Sequence, residues 1–163
     1  MIRHVVKFPH AALKTVAKPV EKVTPQILEL LDDMLETMYA DKGCGLAANQ
    51  INLLSRMIVM DCSEKHDSPV KLINPEIVWH SEEQIIVKEG CLSFPGACVE
   101  VQRHKSVRVK YLDTTGKTQE KTFEAVWAIC AQHEIDHING ITFLDYLSKQ
   151  EQRQILERMK NKV

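Results

Sequence analysis

The chain has 163 residues, 44% hydrophobic and 26% charged, which suits one compact core and leaves no surplus for a second, so a single domain over 1–163 is expected. Its 21 basic and 22 acidic residues give a formal net charge of −1, which excludes a general attraction to nucleic acid or to a membrane surface. No apolar stretch reaches the roughly 20 residues of a membrane span, and the amino terminus has no apolar leader, so the expected compartment is cytoplasmic. The 5 cysteines are odd in number and form no C-x-x-C pair, against a disulfide framework or a zinc ribbon. Cys44, Cys62, Cys98 and Cys130 read as small apolar filler or free thiols.

From Phe8 to Lys18 the chain reads as a surface strap, a helical turn followed by an extended exit at Lys18-Pro19, with Leu13 and Val16 expected to point inward. Thr24 and Pro25 supply a cap and a first helical residue. Ile27, Leu28, Leu30, Leu31, Met34, Leu35 and Met38 then recur at helical spacing, and the methionines belong to the core. Gly43 should stop this helix. Gly43-Cys44-Gly45-Leu46-Ala47-Ala48-Asn49-Gln50 follows, small enough for a close approach of backbone. No Lys-Ser or Lys-Thr follows the glycines, so it is not a phosphate loop. Two readings stay open, a tight loop into a buried strand and a ligand-binding loop.

Short strands are expected over 56–61, 71–79, 84–88, 99–103, 106–112 and 117–123, joined by polar turns such as Thr114-Thr115-Gly116. A helix after several antiparallel strands indicates an α+β fold, with antiparallel β-sheets packed around that helix, an amino-proximal helix before them and a carboxy-terminal helix after. The last helix opens on a capping box, Ser148-Lys149-Gln150-Glu151. It carries an apolar seam of Ile155, Leu156 and Met159, and is basic through Lys149, Arg153, Arg158, Lys160 and Lys162. That basic face suits either water or an anionic partner.

The stretch Gln132-His133-Glu134-Ile135-Asp136-His137 dictates a chemistry. On a helix, His133 and His137 share one face and can hold one metal ion, while Glu134 lies beside it as a base. Val126, Trp127, Ile129 and Cys130 lead in from an apolar run, and histidines so close to a core need a partner to offset desolvation. Gly140 should end the helix.

A hydrolytic zinc-type centre needs a third protein ligand and one open position. Where metzincin proteases place a third His, this chain has Phe143, which excludes them. Glu151 and Glu157 are formal candidates for a thermolysin-like third ligand, without supporting motifs. Cys130 is about 10 Å along the helix from His137, too far for a metal-sulfur bond of about 2.3 Å. There remains Cys91, on the turn Glu89-Gly90-Cys91-Leu92-Ser93-Phe94-Pro95, and one thiolate with two imidazoles suits zinc or iron(II).

Taken together, the blocks 43–50, 89–93 and 132–137, in that order and over nearly the whole length, resemble the bacterial-type peptide deformylases. The resemblance implies a metallo-amidohydrolase that removes the formyl group from the amino-terminal formyl-methionine of nascent polypeptides and releases formate. It implies Cys91, His133 and His137 as ligands of one divalent metal, iron(II) in the cell with zinc or another divalent ion as substitute. Glu134 would take a proton from a metal-activated water and return it to the leaving amine. The Gln50 amide and the Leu92 backbone N–H would meet the oxyanion. Gly43, Cys44, Gly45, Val87, Val126, Ile129 and Cys130 would form the substrate pocket, with Glu89 and Arg103 as outer supports. Formylated nascent peptides are the implied partners; a contact of the basic last helix with the ribosome stays open.

The chain departs from the family in three places. His10-Ala11-Ala12-Leu13-Lys14 lacks the usual Asp-Pro-x-Leu-Arg, Cys44 replaces an aliphatic residue, and Cys98 falls where some members have an Arg. Two other readings differ in class: a metal-dependent endopeptidase, and a non-catalytic peptide- or ribosome-binding module with a structural metal. The lack of a placed fourth ligand and the presence of Glu134 and Gln50 speak against the last.

Overall fold

A computed structural model of the chain describes residues 1–160; Lys162 of the basic last helix lies outside the described residues. Thr24 caps α1, Pro25–Ala40, its Oγ1 accepting from the Ile27 N–H at 3.3 Å. Leu31, Met34 and Met38 are fully buried on its inner face, each contributing about 1.5–3 kcal/mol by burial. The helix does not end on Gly43 as the sequence suggested. Lys42 takes the left-handed conformation (φ 58°), and the N–H groups of Lys42 and Gly43 close back onto the carbonyls of Tyr39 and Met38. Gly43 is small for another reason: a Cβ there would lie 2.9 Å from Leu92.

The strands β1 (Gly45–Ala47), β2 (Met57–Met60), β3 (Val70–His80), β6 (Ser106–Leu112) and β7 (Thr118–Glu124) form an antiparallel sheet in the order β1-β2-β3-β6-β7. β4 (Gln84–Glu89) and β5 (Val99–His104) form a separate antiparallel pair. The Gly43–Gln50 block leads into the buried strand β1, as the first of the two readings has it, continues as a 3-10 turn over Ala48–Ile51 and lines a pocket. A bulge interrupts β3 at Asn74 (φ 52°), whose side-chain amide exchanges two 2.8 Å hydrogen bonds with the Val20 backbone.

The second long helix, α2 (Val126–Ile138), packs on one face of the sheet and α1 on the other. Strand alternation sorts the side chains: Ile58, Met60 and Leu72 join the core under α2, while Met57, Val59 and Ile73 join the core under α1. This is why β2 is apolar throughout. A third cluster joins the β4–β5 pair to α3 (Lys149–Lys160) through Phe94, Val101, Phe143 and Ile155. Ser148 and Glu151 form the expected capping box, each N–H donating to the other's side chain at 3.2 Å.

In the strap, Leu13 is buried as expected but Val16 is 62% exposed. After the 3-10 turn Ala11–Lys14 the backbone is extended, so side chains alternate and Ala17 faces inward instead, its N–H bonded to the Ile138 carbonyl at 2.8 Å.

Candidate active site

On α2, His133 and His137 stack one turn apart, their Nε2 atoms 3.2 Å from each other. Cys91, on the turn after β4, brings Sγ to 3.3 Å from His137 Nε2. All three donor atoms lie within 4.8 Å of one another. A tetrahedral ion with bonds of about 2.0–2.1 Å to nitrogen and 2.3 Å to sulfur would hold its ligand atoms about 3.4–3.6 Å apart, so the trio fits a metal with small adjustments. Burial, reinforced by His133 and Arg103, pushes His137 well down and keeps it in the neutral, ligating form.

A chain of charged groups fixes His133. Its Nδ1 is 2.8 Å from Glu89 Oε1. Arg103 donates to both Glu89 oxygens at 2.7 and 2.8 Å, and to Asp136 at 2.7 Å. Asp136 also accepts from the Tyr146 hydroxyl at 2.6 Å, and the Tyr146 ring packs against the Arg103 guanidinium. Burial would raise the Glu89 carboxyl, but Arg103 and His133 overcome it and hold it at about 2. Asp136 and Tyr146 were not foreseen as members of this chain. Asp136 was visible in the helix motif, whereas Tyr146 is brought in only by the tertiary fold.

Glu134 is buried at the edge of the pocket, and burial pushes its carboxyl up to about 7. Its Oε1 has no hydrogen-bond partner among the described residues. Strand β1 runs close enough that a Cβ on Gly45 would lie 2.5 Å from Glu134 Oε2 and 2.6 Å from Cys130 Sγ. Gln50 is oriented by its own loop: its Oε1 accepts from the Ala47 N–H at 2.9 Å. Its Nε2 therefore points at Cys91 Sγ, 3.6 Å away, and at Ser93 Oγ, 3.2 Å away. Asn49 beside it donates to the His137 carbonyl and ties the loop to α2.

A pocket of about 480 Å³ opens on these groups. Its wall brings together Gly43, Cys44, Gly45, Gln50, Cys91, Leu92, Val126, Ile129, Cys130, His133 and Glu134, and His137 completes the donor trio behind them. Val87 is not among the lining residues. It pairs with Val101 two residues before the strand end, and the wall there is made by Lys88, Glu89 and Gly90. Lys42, and Phe94, Gly96 and Ala97 in the turn after Cys91, complete the lining and had carried no site signal in the sequence. Glu151 sits in the cap of α3, and Glu157 is exposed on the same helix, so neither competes with Cys91.

The polypeptide deformylase family model matches residues 2–153. A peptide deformylase of Phenylobacterium zucineum is 44% identical, over 98% of this chain and 95% of that protein. Peptide deformylase 1 of Pseudomonas syringae pv. tomato is 47% identical, over 97% and 94%. Among solved structures, the peptide deformylase of Legionella pneumophila superposes with a TM-score of 0.94 at 40% identity, covering 99% of this chain and 95% of that one. That of Ehrlichia chaffeensis in complex with actinonin gives 0.94 at 40%, over 99% and 97%. With the same fold and this similarity over nearly the full length, the chain belongs to the peptide deformylases, metal-dependent hydrolases that remove the formyl group from nascent peptides.

Proposed function

We propose that Cys91, His133 and His137 hold one divalent metal, iron(II) in the cell with zinc as a substitute, and that the substrate is the formyl-methionine end of a nascent polypeptide. The observation that carries this is the convergence of one thiol and two imidazoles within 4.8 Å at the wall of a pocket that also holds Glu134 and Gln50. When bound, the metal supplies Lewis acidity and makes water available as a nucleophile near neutral pH. Glu134 takes the proton from the attacking water and delivers it to the leaving amine; its burial raises the carboxyl and so favours its holding that proton between the two transfers. The Gln50 Nε2–H and the Leu92 N–H donate to the oxygen that gains charge as the formyl carbon becomes tetrahedral. The methionine side chain lies against Cys44, Val126, Ile129 and Cys130.

Formate release from formyl-Met-Ala-Ser by protein loaded anaerobically with iron(II) tests the reading, with metal analysis of protein purified without air. A rate no greater than that of Glu134→Ala would overturn it. A casein digest tests for endopeptidase activity, and none is expected. The compartment proposed is the cytoplasm. Lys149, Arg153, Arg158 and Lys160 are exposed on α3 and give it a basic face for the ribosome. Co-sedimentation that falls with added salt is the expected result, and salt-independent sedimentation would refute an electrostatic contact.

A further inference from the structure

A second group of sulfur donors lies beside the substrate pocket, apart from Cys91. Cys44 immediately precedes β1 and Cys62 lies two residues beyond β2; the two strands pair antiparallel, and the ladder continues with the Asp61 N–H bonded to the Cys44 carbonyl at 2.8 Å. Cys130 comes down onto this strand end from α2. The three Sγ atoms lie within 4.8 Å of one another, and all three residues are free thiols. Cys44 is exposed, Cys62 half-buried and Cys130 buried, so the group forms a bowl of sulfur open on one side.

We propose that Cys44, Cys62 and Cys130 form a second metal site, taking a soft three-coordinate cation, Cu(I), and that its occupation obstructs the substrate pocket. Soft thiolates select soft cations such as Cu(I), whereas zinc in an all-protein site calls for a fourth donor. The grouped donors are three sulfurs alone, with no imidazole or carboxylate among them. Binding displaces thiol protons and leaves copper in the +1 state, so no oxidant or reductant is needed.

The link to the pocket is geometric. Cys44 and Cys130 are both part of the pocket wall, and Gly45 lies directly under Cys130 Sγ and Glu134 Oε2. A cation held by the three sulfurs therefore intrudes where the methionine side chain is proposed to lie. The binding claim stands without the hydrolytic reading, because its main readout is coordination rather than turnover.

The test titrates metal-loaded protein anaerobically with Cu(I) delivered from a chelate buffer, and follows X-ray absorption, metal content and the KM for formyl-Met-Ala-Ser. The expected result is one Cu(I) per chain bound by three sulfurs, the first metal retained, and a raised KM. Cys62 is outside the pocket lining, so Cys62→Ser should keep its basal activity yet bind Cu(I) at least about 10-fold more weakly, since even outer partners of a metal change affinity by that much. Cys62→Ala, carrying no hydroxyl, should behave alike. Equal binding by the Cys62 variants, nitrogen in the copper coordination, or release of the first metal would overturn the site. Three-sulfur binding with an unchanged KM would overturn the obstruction.

Discussion

Glu89→Gln is the sharpest test of how the site is held. Glu89 is 6% exposed and accepts two hydrogen bonds from Arg103 and one from His133, all within 2.7–2.8 Å. The amide has the same shape but turns one acceptor into a donor facing another donor. Breaking a buried ion pair costs about 3–5 kcal/mol, and because Arg103 keeps Asp136 at 2.7 Å the loss should fall at the lower end. The depression of the Glu89 carboxyl points the same way. Holding Glu89 at about 2 in place of its ordinary 4.5 corresponds to roughly 3 kcal/mol. Because the folded value is depressed, this contribution is complete above the unfolded value of 4.5 and drains away as the pH falls toward 2. Urea unfolding of metal-free protein should therefore separate wild type from Glu89→Gln by about 3 kcal/mol at neutral pH, and the gap should narrow steadily in acid. Metal affinity should drop about 10–100-fold as His133 loses its orientation. A gap absent at neutral pH, or as wide in acid as at neutrality, would refute the reasoning.

Gly45→Ala should fold normally by circular dichroism but lose kcat by more than about 10-fold, since its Cβ must displace Glu134 and Cys130; a kcat within about 2-fold of wild type would refute the close approach. Ala125, at φ 55° and ψ −131°, caps α2 in a conformation suited to glycine. Ala125→Gly should raise stability by about 1 kcal/mol in a urea titration, and a loss would show that the strain is not there. In metal-free protein labelled at Glu carboxyls, Glu134 should titrate near 7 because of burial, and added metal should lower its midpoint by favouring the charged form. A midpoint near the ordinary 4.5 would contradict its burial.

How much of this was legible in the sequence depended on whether the signal was local. The spacing of His133 and His137 is a helical constraint between near neighbours, and the alternation in 106–112 marks a strand of the same bounds. Gly140 ends α2 with φ 74°, and Lys14 O would lie 2.8 Å from a Cβ there, so the stop signal was read correctly although the strap's close approach could not be. Misreadings arose where the cause was nonlocal. Gly43 was read as a helix stop, yet it is Lys42 that takes the left-handed conformation, and Gly43 makes room for Leu92. Val87 was assigned to the pocket by position along its strand, but the rim falls one to three residues later. The meeting of Cys44, which lies opposite Asp61 at the end of the β1–β2 ladder, with Cys62 and Cys130 needs a register that no spacing rule supplies.

The strap explains why its unusual wording leaves the site intact. The strap and the residues just before it meet the loops bearing Gln50 and Cys91 through backbone: the Val6 N–H donates to the Gln50 carbonyl at 2.7 Å, and the Phe8 N–H to the Ser93 carbonyl at 2.9 Å. Such bonds are indifferent to side-chain identity as long as the chain keeps its path. That path requires a turn at 11–14, which His10 secures by accepting from the Ala12 N–H through Nδ1, in place of an acidic or hydroxyl cap. Packing adds a second requirement, met by Ala12 and Leu13, both buried, with the Ala12 carbonyl 3.4 Å from Asn49 Nδ2. Asn49 also reaches the His137 carbonyl, so the strap, the loop bearing Gln50 and the end of α2 are fastened at one buried amide. What this segment must supply is therefore turn geometry and side-chain size, and His10-Ala11-Ala12-Leu13-Lys14 supplies both without an acidic cap, while Lys14 keeps a positive charge that pairs with Asp145 at 2.8 Å.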